Sequence, residues 1–231
     1  MYNNALRPNF SSIPPVTKNL LIVNGIMWLA CMVFKSLESR VDLMNLFGLH
    51  YFPAESFMPH QLVTYMFLHD TSSMSHLFFN MFGLFMFGRT LEAVWGSRQF
   101  FIYYMVTGIG AGLIQQLVWY LTVPANEFVP GINLLLYDAL LTVGASGALF
   151  GILLAFGVIF PNAGIYIMFI PIAIKAKYLV IGYGLMELML GFGNRPGDNV
   201  AHFAHLGGML FGAILLLYWR KKGKMYGQRY R

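Results

Sequence analysis

A serine opens one apolar run of this chain, and a histidine sits inside another. Ser146 stands in Gly144-Ala145-Ser146-Gly147-Ala148-Leu149-Phe150-Gly151, at the head of a run that ends at Pro161. His205 lies in the run from Val200 to Trp219 and is followed by Gly208 and Gly212. A hydroxyl beside an imidazole supplies a nucleophile and its general base, the minimum for acyl transfer. Polar and ionisable groups inside a membrane span are costly and are read first as functional. The pair points to hydrolysis of a peptide bond inside a membrane.

A second polar pair accompanies the first. His76 and Asn80 are four residues apart, on one face of any helix that carries them. His202 complicates the histidine assignment, because it lies three residues before His205 on nearly the same face. That spacing also allows a His-x-x-His metal pair, but the sequence offers neither an obvious third ligand nor an H-E-x-x-H motif. His202 is expected nearer the water, as a cap or network residue. His50, His60 and His69 fall before the second span and are expected to be interfacial or hydrogen-bonded structure. Tyr137-Asp138 and Gly197-Asp198 lack the context of an intramembrane aspartyl protease, and Ala148 breaks the G-x-S-x-G elbow of soluble hydrolases. Glu187, Gln115 and Gln116 are polar groups within apolar runs, and helix-bridging hydrogen bonds are their expected use over a transport path.

The elements that must position these groups are helices in lipid. Of 231 residues, 58% are hydrophobic and only 10% are charged, and the mean hydropathy is +0.62. A soluble domain carries about 25% charged residues. The single cysteine, Cys31, allows no disulfide framework. A crossing helix needs about 20 apolar residues. Candidates are Leu20 to Leu37, Met74 to Gly88, Phe100 to Val123, Gly144 to Phe160, Ala176 to Leu190 and Val200 to Trp219. Ile165 to Ile174 is too short to cross and is expected to be an interfacial or re-entrant loop. The expected fold class is an all-α membrane protein, a bundle of six transmembrane helices in one domain over 19–219. A cytoplasmic segment, 1–18, precedes it and a basic cytoplasmic tail, 220–231, follows.

Charge sets the orientation of that count. Six spans place Arg7, Lys18, Arg89, Arg98, Lys175, Lys177 and the basic tail from Arg220 to Arg231 on one side. Only Lys35, Arg40 and Arg195 fall on the other. By the positive-inside rule both termini are then cytoplasmic. The net charge of +6 is spread along membrane edges rather than gathered in a patch, so no nucleic-acid partner is expected. In this topology Ser146, His205, His76 and Asn80 all fall in the outer third of the bilayer. Gly147 with Gly151, and Gly208 with Gly212, are small-xxx-small pairs that let helix backbones approach closely. Such an approach is what a Ser146–His205 hydrogen bond requires.

These residues resemble the rhomboid family of intramembrane serine proteases. The resemblance covers about Asn45 to Trp219. It rests on His76-Leu77-Phe78-Phe79-Asn80 (H-x-x-x-N), on Gly144-Ala145-Ser146-Gly147 (G-x-S-G), and on Ala204-His205-Leu206-Gly207-Gly208 with Gly212 (A-H-x-x-G-x-x-x-G). Leu91-Glu92 with Trp95-Gly96 also fits. The resemblance implies a catalytic dyad of Ser146 and His205 with no triad carboxylate. It implies an oxyanion site from the Asn80 side chain, the Ser146 backbone N–H and His76, and an aromatic, Phe150, stacked on His205.

The expected activity is that of an endopeptidase cutting in or next to transmembrane segments of single-pass client proteins, with no cofactor and no metal. The alternative is a non-catalytic relative that binds membrane clients. The expected setting is a multi-pass protein of a bacterial plasma membrane, with the active site opening to the outer side. Clients are expected to come sideways from lipid past the fifth span, with Leu185 and Met189 on its packing face.

Overall fold

Apolar runs in lipid must satisfy their own backbone hydrogen bonds, and a helix does so within a single segment. The computed structural model describes residues 13–37, 40–122, 137–166, 172–193 and 201–225, and these are mostly helical. Pro15–Ser36 forms α1, starting on proline, whose missing N–H costs nothing in a first turn. Leu43–Phe47 (α2), capped by Asp42, and Gln61–Thr64 (α3) lie in the segment before the second span. Met74–Gly83 (α4) passes through a π-helical turn, Leu84–Gly88, into Arg89–Trp95 (α5). Then come Ser97–Thr122 (α6), Ser146–Ile159 (α7), Ala176–Gly193 (α8) and His202–Lys221 (α9).

Among the described residues four helices are long and apolar enough to cross a membrane: Pro15–Ser36, Met74–Trp95, Ser97–Thr122 and His202–Lys221. The second runs seven residues beyond the expected stop at Gly88, because the wider turn carries the helix on through Arg89. Helix α7 is apolar but has 14 residues, and α8 has 18 with Lys177 and Glu187 in it. Phe78, Phe79, Ile181, Leu210 and Leu217 are exposed on the helix faces, as a lipid solvent allows and water does not.

The residues from Ile165 to Ile174, expected to loop, belong to a hairpin. Gly164–Tyr166 (β3) pairs antiparallel with Ala173–Lys175 (β4), and 167–171 lie outside the described residues. A second small ladder matters more for the site. Leu49–His50 (β1) pairs with Leu141–Thr142 (β2), tying the segment after α2 to the strand that leads into Ser146. Gln116, within α6, pins that segment: its Oε1 accepts from Phe52 N at 2.9 Å and its Nε2 donates to His50 O at 2.6 Å. This use of an intramembrane glutamine is structural. His50 and His60 hydrogen-bond the carbonyls of Asn45 and Leu46, while His69 is fully buried and meets the His76 ring edge-on at 5.1 Å.

Helices α6, α7 and α9 pack as a central trio because small residues line their crossings. A Cβ on Gly208 would collide with the carbonyl oxygen of Gly147, and one on Gly151 would stand 2.5 Å from Thr107 Cγ2 and 3.0 Å from Gly208 O. Gly147 meets Ala111 of α6. Gly212, paired by spacing with Gly208, faces the Tyr103 hydroxyl and Thr107 of α6 rather than α7. The end of the trio away from Ser146 is closed by Trp95, Tyr103 and Trp219, with ring centroids 4.9 to 5.7 Å apart. Nearby, Glu92 is buried and accepts from Val16 N (2.9 Å), Thr17 N (2.7 Å), Thr17 Oγ1 (2.8 Å) and Ser97 Oγ (2.7 Å). It caps the start of α1, which has no side-chain cap of its own.

Helix α8 sits differently from expectation. Leu185 is 57% and Met189 75% exposed, so neither lies on its packing face. That face is Ala176, Val180 and Glu187.

Candidate active site

The β1–β2 ladder and a Gly144 N–H bond to the Tyr65 carbonyl (2.9 Å) deliver the chain to the start of α7. Gly144 holds φ +131°, a conformation that L side chains rarely adopt. A Cβ there would stand 3.1 Å from His76 Nε2 and 3.5 Å from Ser146 Oγ, so the glycine also keeps the space between those two groups open. Ser146 is the first residue of α7. The N–H groups of a first helical turn have no intrahelical acceptor and carry the positive end of the helix dipole.

The Gly147–Gly208 crossing brings α9 against α7 one residue from the serine. His205 Nε2 lies 2.7 Å from Ser146 Oγ. The Phe150 ring, one turn into α7, stacks on the imidazole with centroids 4.3 Å apart and planes 7° from parallel. His205 is 7% exposed, while Ser146 is half-buried at the wall of a cavity. His76, on α4, faces the same point: its Nδ1 accepts from Asp70 N at 3.3 Å. A neutral imidazole that accepts at Nδ1 carries its proton on Nε2, the atom turned toward Gly144 and Ser146. Asn80 donates Nδ2 to its own helix at the His76 carbonyl (2.8 Å), which leaves the second amide hydrogen to spend.

Ser146, Asn80 and Phe150 share the wall of a cavity of about 370 Å³. Phe79, Phe82, Leu153, Leu179 and Tyr183 supply much of the rest, so the chamber lies between α4, α7 and α8 and is overwhelmingly apolar. An apolar cavity with a few convergent polar groups is the usual form of a small binding site. Of the five chemistry-bearing residues singled out from the sequence, Ser146, Asn80 and Phe150 line this cavity, His205 is bonded to Ser146 and stacked on Phe150, and His76 stands across Gly144 from Ser146.

One further group is here. Glu187, on α8, puts Oε2 2.6 Å from His202 Nδ1 and 3.0 Å from His205 Nδ1. Its side chain is 6% exposed. The resemblance implied no carboxylate near the base, and one is present. The sequence marked Glu187 only as a helix-bridging group, and nothing along the chain indicates that it meets these two histidines. His202, expected near water, is buried at the first turn of α9 and bonded to Glu187. Glu187 Oε2 stands at hydrogen-bond distance from each imidazole, closer than two ligand atoms set about 2.0–2.2 Å from a shared zinc would stand, while the two rings meet edge-on with centroids 6.4 Å apart.

Helical spans in lipid, a polar cluster at the mouth of an apolar chamber, and a serine hydrogen-bonded to a histidine define a class: membrane-embedded helical proteins with hydrolase-like sites. The rhomboid domain family matches residues 56–222, and the chain belongs to the rhomboid family. It is 29% identical over 182 residues to Rhomboid-like protein 11, chloroplastic, of Arabidopsis thaliana, covering 75% of this chain and 56% of that protein. It is 31% identical over 157 residues to Rhomboid protein 1, mitochondrial, of Saccharomyces cerevisiae, covering 67% and 40%. The Putative rhomboid protease YdcA of Bacillus subtilis is 27% identical over 225 residues, 94% of this chain and 95% of that one. The chain thus spans about half the length of the plant and yeast relatives and nearly all of the bacterial one.

Proposed function

We propose that this protein is an intramembrane serine endopeptidase that cuts client proteins in or beside a transmembrane helix. The observation that carries the reading is the 2.7 Å contact between Ser146 Oγ and His205 Nε2 at the wall of an apolar chamber. His205 takes the hydroxyl proton as Ser146 attacks the scissile carbonyl carbon. The tetrahedral oxyanion is held by the Ser146 backbone N–H, the free Asn80 amide hydrogen and His76 Nε2–H. His205 then gives its proton to the leaving amine, the C–N bond breaks, and an acyl-serine remains. A water, deprotonated by His205, releases it by the same steps in reverse.

The membrane arrangement belongs to the same proposal. Helices α1, α4–α5, α6, α7, α8 and α9 act as six spans, with α7 and α8 crossing a locally thinned bilayer despite their lengths. Both termini then face the cytoplasm, with the basic tail among the inner charges, and the site opens to the outer side. Clients are single-pass membrane proteins that reach the chamber from lipid. Their carbonyls are bonded within their own helix, so a client must unwind locally before Ser146 can attack.

The test is labelling of purified full-length protein by a fluorophosphonate, together with cleavage of a transmembrane reporter. Wild type should label and cleave. Ser146→Ala and His205→Ala should do neither while remaining folded, and His202→Ala should keep substantial activity. A wild type that binds the reporter but neither labels nor cuts would sink the protease reading in favour of a non-catalytic client-binding protein.

A further inference from the structure

Helix α8 presents an anomaly. Between Val180 and Gly193 its single buried residue is Glu187, while Leu185, Met186, Leu188 and Met189 face outward. A helix in lipid gains from burying small or polar groups between helices, yet a buried carboxylate is costly unless it is paired. Its partners are the two imidazoles of α9, His202 Nδ1 at 2.6 Å and His205 Nδ1 at 3.0 Å.

We propose that Glu187 is a positioning residue for His205, fixing its tautomer and steadying its positive charge while docking α8 on α9. This rests on the serine-protease reading above. The need is chemical. His205 can accept the Ser146 proton at Nε2 only if its own proton sits on Nδ1. Phe150 fixes the plane of the ring by stacking but cannot choose between the two nitrogens. An acceptor at Nδ1 makes that choice, and Glu187 Oε2 is the acceptor at hand. When His205 becomes imidazolium, the nearby carboxylate stabilises the new charge. In the structure the 3.0 Å contact is not an aligned hydrogen bond, and Oε2 is bonded to His202. Such bonds often align only once substrate is bound. His202 therefore shares the carboxylate rather than relaying to Ser146.

The groups facing His205 that can carry charge are Glu187 from α8, His202 from its own helix and His76 from α4. Helix α7 offers the Ser146 hydroxyl and the Phe150 ring, and the α6 face beside Gly207 is apolar, with Ala111 and Ile114. Of these only Glu187 is anionic. Its charge stabilises the imidazolium that forms as Ser146 attacks.

The experiment compares wild type, Glu187→Gln, Glu187→Asp and His202→Asn as full-length protein in lipid, following reporter cleavage against pH. Glu187→Gln should lower kcat by about 10²-fold with KM little changed, less than loss of the acid in a serine triad because Phe150 still holds the ring. The acidic limb of its kcat/KM profile should move to lower pH, because the anion beside the imidazolium is lost. Glu187→Asp should recover part of the rate, and His202→Asn should keep it. A Glu187→Gln protein with wild-type kcat and an unmoved acidic limb overturns the proposal. So does one that loses rate with no shift of the limb and no rescue by Asp, since that is the pattern of a packing role. Should Glu187→Gln fail to fold, proton NMR of Ser146→Ala protein holding the uncleaved reporter decides: a carboxylate-bonded Nδ1–H of His205 resonates far downfield, and its absence overturns the proposal. That resonance does not depend on turnover. A wild type inert to fluorophosphonate would strike the protease reading, while the NMR would still judge the Glu187–His205 contact.

Discussion

Gly208→Ala places one methyl group where the α7–α9 crossing has no room for it. The added Cβ would overlap the carbonyl oxygen of Gly147, which is backbone inside a helix and cannot rotate away. Gly208 lies one turn from His205, and Gly147 adjoins Ser146, so the collision occurs at the hinge of the proposed dyad. Relief requires the two helices to part by about 1 Å, since interiors are close-packed and carbon–oxygen contacts do not form much under 3 Å. The Ser146–His205 contact then lengthens from 2.7 Å to about 3.7 Å, beyond the hydrogen-bond range. A displacement of that size costs on the order of 10²-fold in rate. The overpacking costs about 1–3 kcal/mol in stability, since the shift must be accommodated along both helices. The assay is reporter cleavage in liposomes, with thermal unfolding in parallel. Gly182→Ala is the control, because a Cβ there meets nothing within 4 Å. It should leave turnover unchanged and add up to about 1 kcal/mol of stability through helix propensity. A Gly208→Ala protein with wild-type turnover and stability would refute the reasoning, for it would show that the crossing has slack the structure denies.

Asn80→Ala should lower kcat by about 10²-fold or less with KM nearly unchanged, as expected when one oxyanion donor of several is lost. An unchanged turnover number removes Asn80 from the mechanism. Leu179→Ala with Tyr183→Ala thins the α8 wall of the chamber and should speed cleavage of transmembrane clients more than of soluble unfolded ones. Equal effects on both would count against access past α8. His69, fully buried before α4, has its pKa pushed down to about 3 by burial and then by the neighbouring His76 ring. Folded protein keeps it neutral while the unfolded chain protonates it near the ordinary 6.5, so its contribution is present above that value and lost as pH falls toward 3. The melting temperature should drop over that window, and His69→Phe should flatten the drop; an identical slope in both proteins removes His69 as its source.

What the sequence reveals of the site is what a single helix carries. His76 and Asn80, or Ser146 and Phe150, are four apart and must share a face wherever their helix goes. Motif order and the apolar runs lead one to expect them at one depth, and the structure sets Asn80, Ser146 and Phe150 around one cavity. Helix ends are less legible: the second span runs on to Trp95 because a π turn, invisible to a count of apolar residues, carries the helix past Gly88. The segment before α4 is harder still, since its irregular backbone is held by partners far along the chain, as when Gln116 bonds Phe52 and His50.

Contacts between helices depend on rotation, which spacing leaves open. Glu92 enters the sequence reading only beside Leu91, Trp95 and Gly96 as part of the resemblance, yet it caps a helix 75 residues upstream. Glu187 reads as a polar group in lipid, and only the rotation of α8 decides whether it meets lipid, a neighbouring carbonyl or the Nδ1 of a base. The glycines make the same point from the other side. Gly208 and Gly212 satisfy one spacing rule, and the rule anticipates close approach at both. It does not say to what: Gly208 meets α7 and thereby sets the serine–histidine distance, while Gly212 meets Tyr103 and Thr107 of α6 and sets only how the trio closes. Alanine at 208 should therefore strike the rate directly, whereas at 212 the first cost falls on packing against α6.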